Sequence, residues 1–252
     1  TFRFSSLPDE LINDITIDSD SNIIGTGYSR SGNTFDAFAF KYNYKTHTMI
    51  WHRNFTGPAT SSFTTVNEKT SGGNYFLTGQ TASNTAPGLG CDGLLMEVDR
   101  NTGATIQMHH YNMGSCETFS KTIVHNNQIY TSGRYNNAGG GTNRMRTGVT
   151  RMDFSGNQIW SRLYITNVSS NGRLYGRDLL VDNDSLVVAD FGDENGSSAS
   201  DVDLHLFKTD LNGAISWAKR YNIPGGNTER VTKIIDVPDG YIMLGNFLPN
   251  GF

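Results

Sequence analysis

Charged side chains are scarce in this chain, at 17% of 252 residues, and the net charge is only −4. The sequence pI is near 5.8, and no run of lysine or arginine occurs anywhere along it. A chain without a basic surface has little electrostatic attraction for nucleic acid or for an anionic membrane. We therefore expect no nucleic-acid partner.

Long apolar segments are also missing, since none approaches the roughly 20 residues that span a bilayer. We predict no membrane insertion. The first residues, TFRFSSLPDE, lack the basic and apolar regions of a signal peptide. An export signal would therefore have been removed or would lie outside this chain.

The motifs of common enzymes and metal sites are absent from the sequence. Its six histidines have no spacing typical of a zinc site. No P-loop, dinucleotide fingerprint or G-x-S-x-G elbow occurs. A pair of catalytic carboxylates assembled in space stays open, although no pair stands out. We predict no catalytic residue, no cofactor and no enzymatic activity.

What the sequence does have is abundant glycine, 28 residues, and a repeat of about 55 residues. A strand that ends in a small residue recurs, with anchors at Gly27, Gly79, Gly133, Asp190 and Gly245. A second position recurs as Trp51, Gln107, Trp160 and Trp217. Four positions after each member of this set stands an aromatic residue: Phe55, Tyr111, Tyr164 and Tyr221.

Each repeat contains four short runs of alternating apolar and polar residues, which is typical of β-strands. The third and fourth runs are joined by DRNTGA, DFSGNQ or DLNGA, in which Asp begins a turn and Gly supplies a positive φ. This predicts an all-β fold, a β-propeller of four-stranded antiparallel blades. We expect one propeller segment over residues 1–252, which would be part of a larger ring or the ordered part of a longer protein. Its four complete blades are expected at 11–55, 62–111, 117–164 and 174–221, and a partial fifth blade at 229–252.

The segment ITIDSDSNIIGTGYSRSGNTFDAFAFKYNYKTHTMIW resembles the SBBP-type β-propeller repeat of bacterial exported proteins. DFSGNQIW and DLNGAISW fit the same pattern, whereas Gln107 and Arg146 depart from it. The resemblance covers nearly the whole chain. It implies an extracellular or cell-surface propeller module and no particular reaction.

The repeated tryptophans Trp51, Trp160 and Trp217 allow two interpretations. They fill space between adjacent blades, or they form stacking platforms for a sugar. Because all three stand at the same place in the fourth strand, we favour packing. Three aspartates also recur, at the start of the third strand, and either accept backbone hydrogen bonds or bind cations: Asp36, Asp92 and Asp203.

One turn has the spacing of a calcium loop, with Asp18, Asp20 and Asn22 in the sequence DSDSN. No Glu follows that would close such a site, and the equivalent turns lack these carboxylates. We favour ordinary turn chemistry and keep Ca²⁺ as the alternative.

Two cysteines are too few for a disulfide framework, but they suit a single bridge. Cys91 directly precedes the third strand of the second blade, and Cys116 follows the fourth strand of that blade. Because antiparallel neighbours bring both to one edge, a disulfide closing this hairpin is geometrically reasonable. Such a bridge points to an oxidising compartment.

The function hypothesis that follows is a non-enzymatic, secreted or cell-surface propeller module. It would serve as a scaffold or adhesion surface in a larger assembly, with other protein domains or surface glycans as partners. Its contacts are expected on the loops between the second and third strands, at 30–35, 82–91, 136–146 and 192–202. The alternative is a propeller that binds or cleaves carbohydrate, and exposure of the tryptophans would favour it.

Overall fold

The computed structural model describes nine segments of the chain. They are residues 9–31, 34–55, 60–82, 91–113, 116–136, 145–164, 173–193, 202–222 and 228–248. These residues form only strands and turns, so the predicted all-β fold is confirmed for this part of the chain. No helix among them is long and apolar enough to cross a membrane. The loops expected to carry partner contacts lie largely outside the described residues.

The eighteen strands follow the repeat. The first repeat contains β1 (Asp9–Ile17), β2 (Ile23–Ser31), β3 (Thr34–Asn43) and β4 (Thr48–Phe55). The second contains β5 (Ser61–Glu68), β6 (Tyr75–Ala82), β7 (Cys91–Val98) and β8 (Thr105–Tyr111). The third contains β9 (Cys116–His125), β10 (Gln128–Asn136), β11 (Met145–Asp153) and β12 (Gln158–Tyr164). The fourth contains β13 (Arg173–Asp182), β14 (Ser185–Asp193), β15 (Asp203–Asp210) and β16 (Ile215–Tyr221), and the fifth has β17 (Thr228–Val237) and β18 (Gly240–Leu248).

The strands belong to two compact units, Thr1–Ile129 with Asp153–Asn157, and Tyr130–Met152 with Gln158–Phe252. In the first unit, β1 to β4 form an antiparallel sheet in chain order, and so do β5 to β8. In the second unit, β11 and β12 form a hairpin, β13 to β16 form a sheet in chain order, and β17 pairs with β18. The pairing within each repeat is therefore antiparallel as predicted. These pairings do not close the sheets into a ring.

The hairpins between third and fourth strands form as the sequence predicts. Gly103, Gly156 and Gly213 have φ angles of 68°, 79° and 80°, and each amide donates to the carbonyl of the aspartate that begins its turn. A Cβ on Gly103 would lie 2.7 Å from the Trp51 ring. This glycine is therefore required by its close approach to Trp51 as well as by its φ angle.

The first strands of four repeats contain a β-bulge that was not predicted from the sequence. The register shifts between Ile12 and Asp14, Phe63 and Thr65, Gly176 and Asp178, and Val231 and Lys233. In the first unit, Asp14 after the bulge accepts a hydrogen bond from the Val66 amide at 3.1 Å. In the second unit, Asp178 accepts one from the Ile234 amide at 2.7 Å. The bulge thus frees a carboxylate to bind the backbone of the following sheet.

Each unit has its own apolar core between consecutive sheets. In the first unit Trp51 packs with Phe63, Val66, Tyr75 and other buried side chains. In the second unit the core includes Val187, Ala189, Phe191, Leu206, Val231 and Ile234. Apart from Trp51 in β4, these side chains come from the first three strands of a repeat, which explains why the sequences of those strands are the most apolar.

Candidate functional site

Trp51 is a packing residue of the first unit. Its side chain is only 6% exposed, and its Nε1–H donates to the Arg100 carbonyl at 3.0 Å. Its ring centroid lies 6.3 Å from that of Tyr75. A sugar-stacking platform needs an exposed ring face, and Trp51 has none to offer.

Gln107 takes over the polar part of the tryptophan's role in the next repeat. Its Nε2 donates to the Phe154 carbonyl at 3.0 Å. Phe154 and Arg100 both directly follow the aspartate that begins a hairpin turn. The departure at Gln107 therefore conserves the hydrogen bond that Trp51 makes, while the indole ring is lost.

Trp160 and Trp217 are half-buried in the second unit. The guanidinium of Arg162 lies 5.8 Å from the Trp160 ring, and the ammonium of Lys219 lies 5.8 Å from the Trp217 ring. Trp217 also packs on Tyr241, with centroids 6.2 Å apart. The Nε1 atom of Trp160 is buried with no hydrogen-bond partner among the described residues. Both rings are therefore covered in part by neighbouring side chains.

Two of the aromatic residues after the tryptophan position act through their hydroxyl groups. Tyr111 donates to the Gly156 carbonyl at 2.6 Å, and Tyr164 donates to the Gly213 carbonyl at 2.9 Å. Each accepting glycine is the positive-φ residue of the following hairpin. The sequence contained this signal, because Tyr and the turn Gly recur with the same period, but the bond between them was not foreseen.

The three repeated aspartates have different surroundings. Asp36 is half-buried. Asp92 accepts a hydrogen bond from Asn112 at 3.1 Å, and Asp203 pairs with Arg220 at 2.5 Å. Asn112 follows the fourth strand of its repeat, and Arg220 lies near the end of the fourth strand of its own. The expected bonds from loop amides stay a prediction, because much of these loops lies outside the described residues.

Cys91 and Cys116 form a disulfide with a Cα–Cα distance of 4.3 Å. The sequence interpretation placed both cysteines in the second repeat, closing its hairpin. In the structure Cys116 instead begins β9, the first strand of the third repeat, and β7 and β9 are parallel at this pair. The bridge therefore joins consecutive repeats, which the sequence could not reveal because the boundary falls at Cys116 itself.

Glu117 is a buried carboxylate that sequence reasoning missed. It follows Cys116, as Asp92 follows Cys91, so the two acidic residues stand side by side on parallel strands. The Glu117 side chain is 0% exposed, and neither carboxylate oxygen has a hydrogen-bond partner of good geometry among the described residues. Burial, with a further contribution from Asp92, raises the pKa of Glu117 to about 7, against a lowering by the Met113 backbone.

The second unit contains an equivalent acidic pair, Asp203 and Glu229. The Glu229 amide donates to the Val202 carbonyl at 3.1 Å, which sets the two strands side by side. Both carboxylates are buried, and Arg220 supplies a positive charge to Asp203. In the first unit the described partner of Asp92 is the neutral Asn112 instead.

The turn with calcium-like spacing is occupied by cationic side chains. Lys41 lies 3.0 Å from Asp18, and Arg100 lies 2.5 Å from Asp20. Asn22 binds Asp18 through its amide at 2.7 Å. Burial would raise the pKa of Asp18, but hydrogen bonds from Tyr75, Asn22 and Lys41 lower it to about 2. A calcium ion would have to displace these partners, so the calcium assignment stays a prediction that this geometry disfavours.

The described residues contain no group of three or more His, Cys, Asp or Glu side chains that could hold a metal ion. The most enzyme-like polar cluster is in the second unit, where Asp190 accepts from Thr147 at 2.6 Å and lies 2.7 Å from His205 Nδ1. Asp190 and His205 are at most 2% exposed. Asp190 stands opposite Gly176, and a Cβ on Gly176 would lie 2.7 Å from the Gly133 carbonyl oxygen and 3.0 Å from Thr147 Cγ2.

A cavity of about 280 Å³ lies in the first unit. Tyr28 and Phe35 form one wall, with ring centroids 5.1 Å apart. Ser61, Gln80 and Thr81 line the other side. An aromatic wall facing hydroxyl and amide groups is chemistry that suits a sugar.

Comparison with known proteins leaves the family open. No protein-family model matches the chain, and no curated protein matches it. Among solved structures it is similar to the GH43 endo-arabinanase from Bacillus licheniformis, with 13% identity, a TM-score of 0.42, and coverage of 81% of this chain and 75% of that one. It is also similar to the hydrazine synthase of Kuenenia stuttgartiensis, with 11% identity, a TM-score of 0.46, and coverage of 95% and 74%. Similarities this distant assign no function to the chain.

Proposed function

We propose that this chain is a module of an extracellular β-propeller that acts without catalysis, as a scaffold or adhesion surface for other protein domains or surface glycans. The observation that carries the proposal is the use of the repeated Trp position. Trp51 is buried and bonded to the backbone of the next sheet, and Gln107 makes the same kind of bond. A position that tolerates Trp or Gln while keeping one hydrogen bond serves packing between sheets rather than ligand binding.

The open face of β1 supports the placement of this module in a larger ring. Ile12 and Ile15 are 45% and 61% exposed, whereas the equivalent Phe63 and Val66 of β5 are 0% and 2% exposed. The ring of Phe55 covers Phe63 at 5.4 Å. Exposed apolar residues at positions that are core elsewhere indicate a missing neighbour. We infer that a further sheet of the same repeat packs on β1.

The exposed residues of β17 and β18 are a second, independent indication that this module belongs to a larger ring. Ile242 and Leu244 of β18 are 47% and 49% exposed, and Ile235 of β17 is 42% exposed. In the described part of the chain, no third strand pairs with β18, and the face that carries these side chains is open to solvent. A longer sheet in this place would bury them and complete the repeat.

A second candidate function, carbohydrate binding, is favoured by one observation. The cavity beside Tyr28 and Phe35 combines a partly exposed aromatic wall with the polar side chains of Ser61 and Gln80. This surface differs from the repeated tryptophans, so the two functions are compatible. It supports binding of a neutral sugar and suggests no cleavage.

The test combines two measurements on the purified chain with a panel of neutral and acidic polysaccharides. Release of reducing ends measures cleavage, and retardation in affinity gels measures binding. Tyr28→Ala and Phe35→Ala alter the cavity, and Tyr44→Ala serves as the matched control because Tyr44 is an exposed aromatic residue, 42% exposed, outside the cavity.

The scaffold proposal predicts no release of reducing ends from any polysaccharide. Retardation that is lost in Tyr28→Ala and kept in Tyr44→Ala would establish the second candidate. Release of reducing ends by the wild-type chain would overturn the non-enzymatic proposal.

A further inference from the structure

Two arginines of the second unit share one aromatic ring. The guanidinium carbon of Arg177 in β13 lies 5.4 Å from the ring centroid of Phe191, and that of Arg230 in β17 lies 5.9 Å from the same centroid. Tyr175 stacks on Phe191, with centroids 5.1 Å apart and an interplanar angle of 16°. Both guanidinium groups are therefore attracted to the same ring.

The bulge in β13 explains how Arg177 reaches this position. Strand pairing passes from Gly176 opposite Asp190 to Asp178 opposite Ala189, so Arg177 is the extra residue without a partner on β14. The side chain of a bulged residue does not follow the alternation of the strand, so it can point in a direction that its neighbours do not share. The Arg177 side chain is exposed, as is that of Arg230.

The charges around Arg177 are unfavourable to it. Desolvation by the surrounding protein, then the positive charges of Arg230 and Arg134, lower the pKa of Arg177. Like charges at short range repel, and arginine remains charged at neutral pH. The cluster therefore holds a concentration of positive charge in a chain whose net charge is −4.

Carboxylates of neighbouring strands do not neutralise Arg177 or Arg230 among the described residues. Asp178 accepts the Ile234 amide at 2.7 Å and lies 3.9 Å from Lys233. Of the other buried acids nearby, Asp190 and Asp203 pair with His205 and Arg220, and Glu229 lies beside Asp203. Among the described residues, the positive charge at Phe191 is therefore open to a ligand from solution.

We propose that Arg177 and Arg230, which both lie over the Phe191 ring, form with the added positive charge of Arg134 a binding site for an oxyanion: a carboxylate, sulfate or phosphate group. A guanidinium presents paired N–H donors that match two oxygens of such a group. Contact with one ring fixes the two guanidinium groups before the ligand arrives, which lowers the entropy cost of binding. Bound anion relieves the repulsion within the cluster.

This site goes beyond the proposed scaffold function and does not depend on it. An oxyanion at this position comes either from a free small anion or from an acidic sugar of a glycan. The site recognises the same chemistry in both cases. If no anion binds, the scaffold proposal stands unchanged, because none of its supporting residues belongs to this cluster.

Calorimetric titration of the whole chain with inorganic sulfate, inorganic phosphate and a galacturonate oligomer tests the site at constant ionic strength. A neutral galactose oligomer is the ligand control. Arg177→Ala, Arg230→Ala and their double variant remove the site. Arg162→Ala is the matched control, because Arg162 also lies over an aromatic ring, Trp160 at 5.8 Å, without a second arginine on that ring.

We expect saturable binding to the wild-type chain, a loss of about tenfold in affinity for each single variant, and no detectable binding to the double variant. Arg162→Ala keeps wild-type affinity. Tighter binding of the galacturonate oligomer than of the inorganic anions identifies a glycan acid as the source, and the reverse identifies a free anion. If the double variant does not fold, Arg177→Lys with Arg230→Lys keeps the charge and removes the paired donors, and its affinity falls as well.

Two results would overturn the proposal. One is the absence of saturable binding of any of the three anions to the wild-type chain up to tens of millimolar. The other is an equal loss of affinity in Arg162→Ala and Arg177→Ala, since that would reflect general charge rather than a built site.

Discussion

Trp51 and Gln107 donate the same hydrogen bond from equivalent positions in consecutive repeats. The Trp51 indole reaches the Arg100 carbonyl at 3.0 Å, and the Gln107 amide reaches the Phe154 carbonyl at 3.0 Å. The two side chains have little in common except an N–H donor that reaches the carbonyl of the residue after the turn aspartate. The repeat therefore selects for a link to the next hairpin turn, and the aromatic ring adds packing where space permits.

Replacing Gln107 by Ala should lower the free energy of unfolding by about 1–3 kcal/mol. The change removes the bond to Phe154 and also a 2.6 Å bond to Glu97. Urea unfolding measures the loss, and Gln158→Ala is the control because Gln158 is exposed. An equal effect of both variants would contradict the proposed link.

Replacing both cysteines, Cys91→Ala with Cys116→Ala, should lower stability by about 2–4 kcal/mol, since the bridge closes a loop with a sequence separation of 25. Thermal unfolding with and without a thiol reductant measures this. Reductant should lower the melting temperature of the wild-type chain and leave that of the double variant unchanged. Insensitivity of the wild-type chain would show that the two thiols are not bonded in the protein.

Glu117 should make the chain less stable as the pH rises from about 4.5 to 7. Its pKa is raised to about 7 in the folded state from 4.5, so in this window the folded chain holds a proton that the unfolded chain has lost. Stability is full below about pH 4.5 and falls by about 3 kcal/mol by pH 7, then levels off. Urea unfolding across this pH range measures the slope.

The control for this pH effect is the pH dependence of the free energy of unfolding in Glu117→Gln. The variant stays neutral at every pH, so its stability should lack the fall between pH 4.5 and 7. Glu10→Gln, at the equivalent but half-buried position of β1, should keep the wild-type slope. A wild-type slope in Glu117→Gln would mean that another group titrates.

Asp18→Asn should lower the free energy of unfolding by about 3–5 kcal/mol, because it leaves the buried Lys41 ammonium without its 3.0 Å partner. The folded-state pKa of Asp18 is about 2, below its ordinary 3.8. Its contribution is therefore present above about pH 4 and is lost as the pH falls towards 2. The difference between wild type and variant should shrink over that range, whereas Asp20→Asn, whose carboxylate is exposed, costs much less.

Calcium gives a second readout for the same turn. Because Lys41 and Arg100 already neutralise these carboxylates, neither added Ca²⁺ nor a chelator should change the melting temperature. A rise with Ca²⁺ that disappears in Asp18→Asn would restore the calcium alternative.

The sequence predicted the strands and hairpins well because their signals are local. Alternation places the strands, and the Asp and Gly of each turn fix the hairpins at Gly103, Gly156 and Gly213. The preference for packing over sugar stacking at Trp51 also followed from its recurrence. These features depend on a few neighbouring residues, so one chain contains the needed information.

The features that the sequence did not predict depend on contacts between repeats. The disulfide partner strand of Cys91 is β9, and the neighbour of Asp92 is Glu117, because a parallel pairing brings different repeats together. The bulge that releases Arg177 was also missed, although an extra residue shifts the alternation by one position, as the spacing of the core residues Phe63 and Val66 in β5 shows. Lys41 of β3 and Arg100 of the turn between β7 and β8 contact the carboxylates of the turn whose spacing resembled a calcium loop.

A structure of the longest native chain that contains these residues tests the central claim most directly. The account predicts that a further antiparallel sheet covers Ile12 and Ile15, and that a Trp or Gln of its outer strand donates to the carbonyl of Tyr44. Tyr44 directly follows Asn43, as Arg100 follows Asp99 in the bond that Trp51 makes. A β1 face left in solvent, or a sugar stacked on Trp160 or Trp217, would contradict the scaffold account.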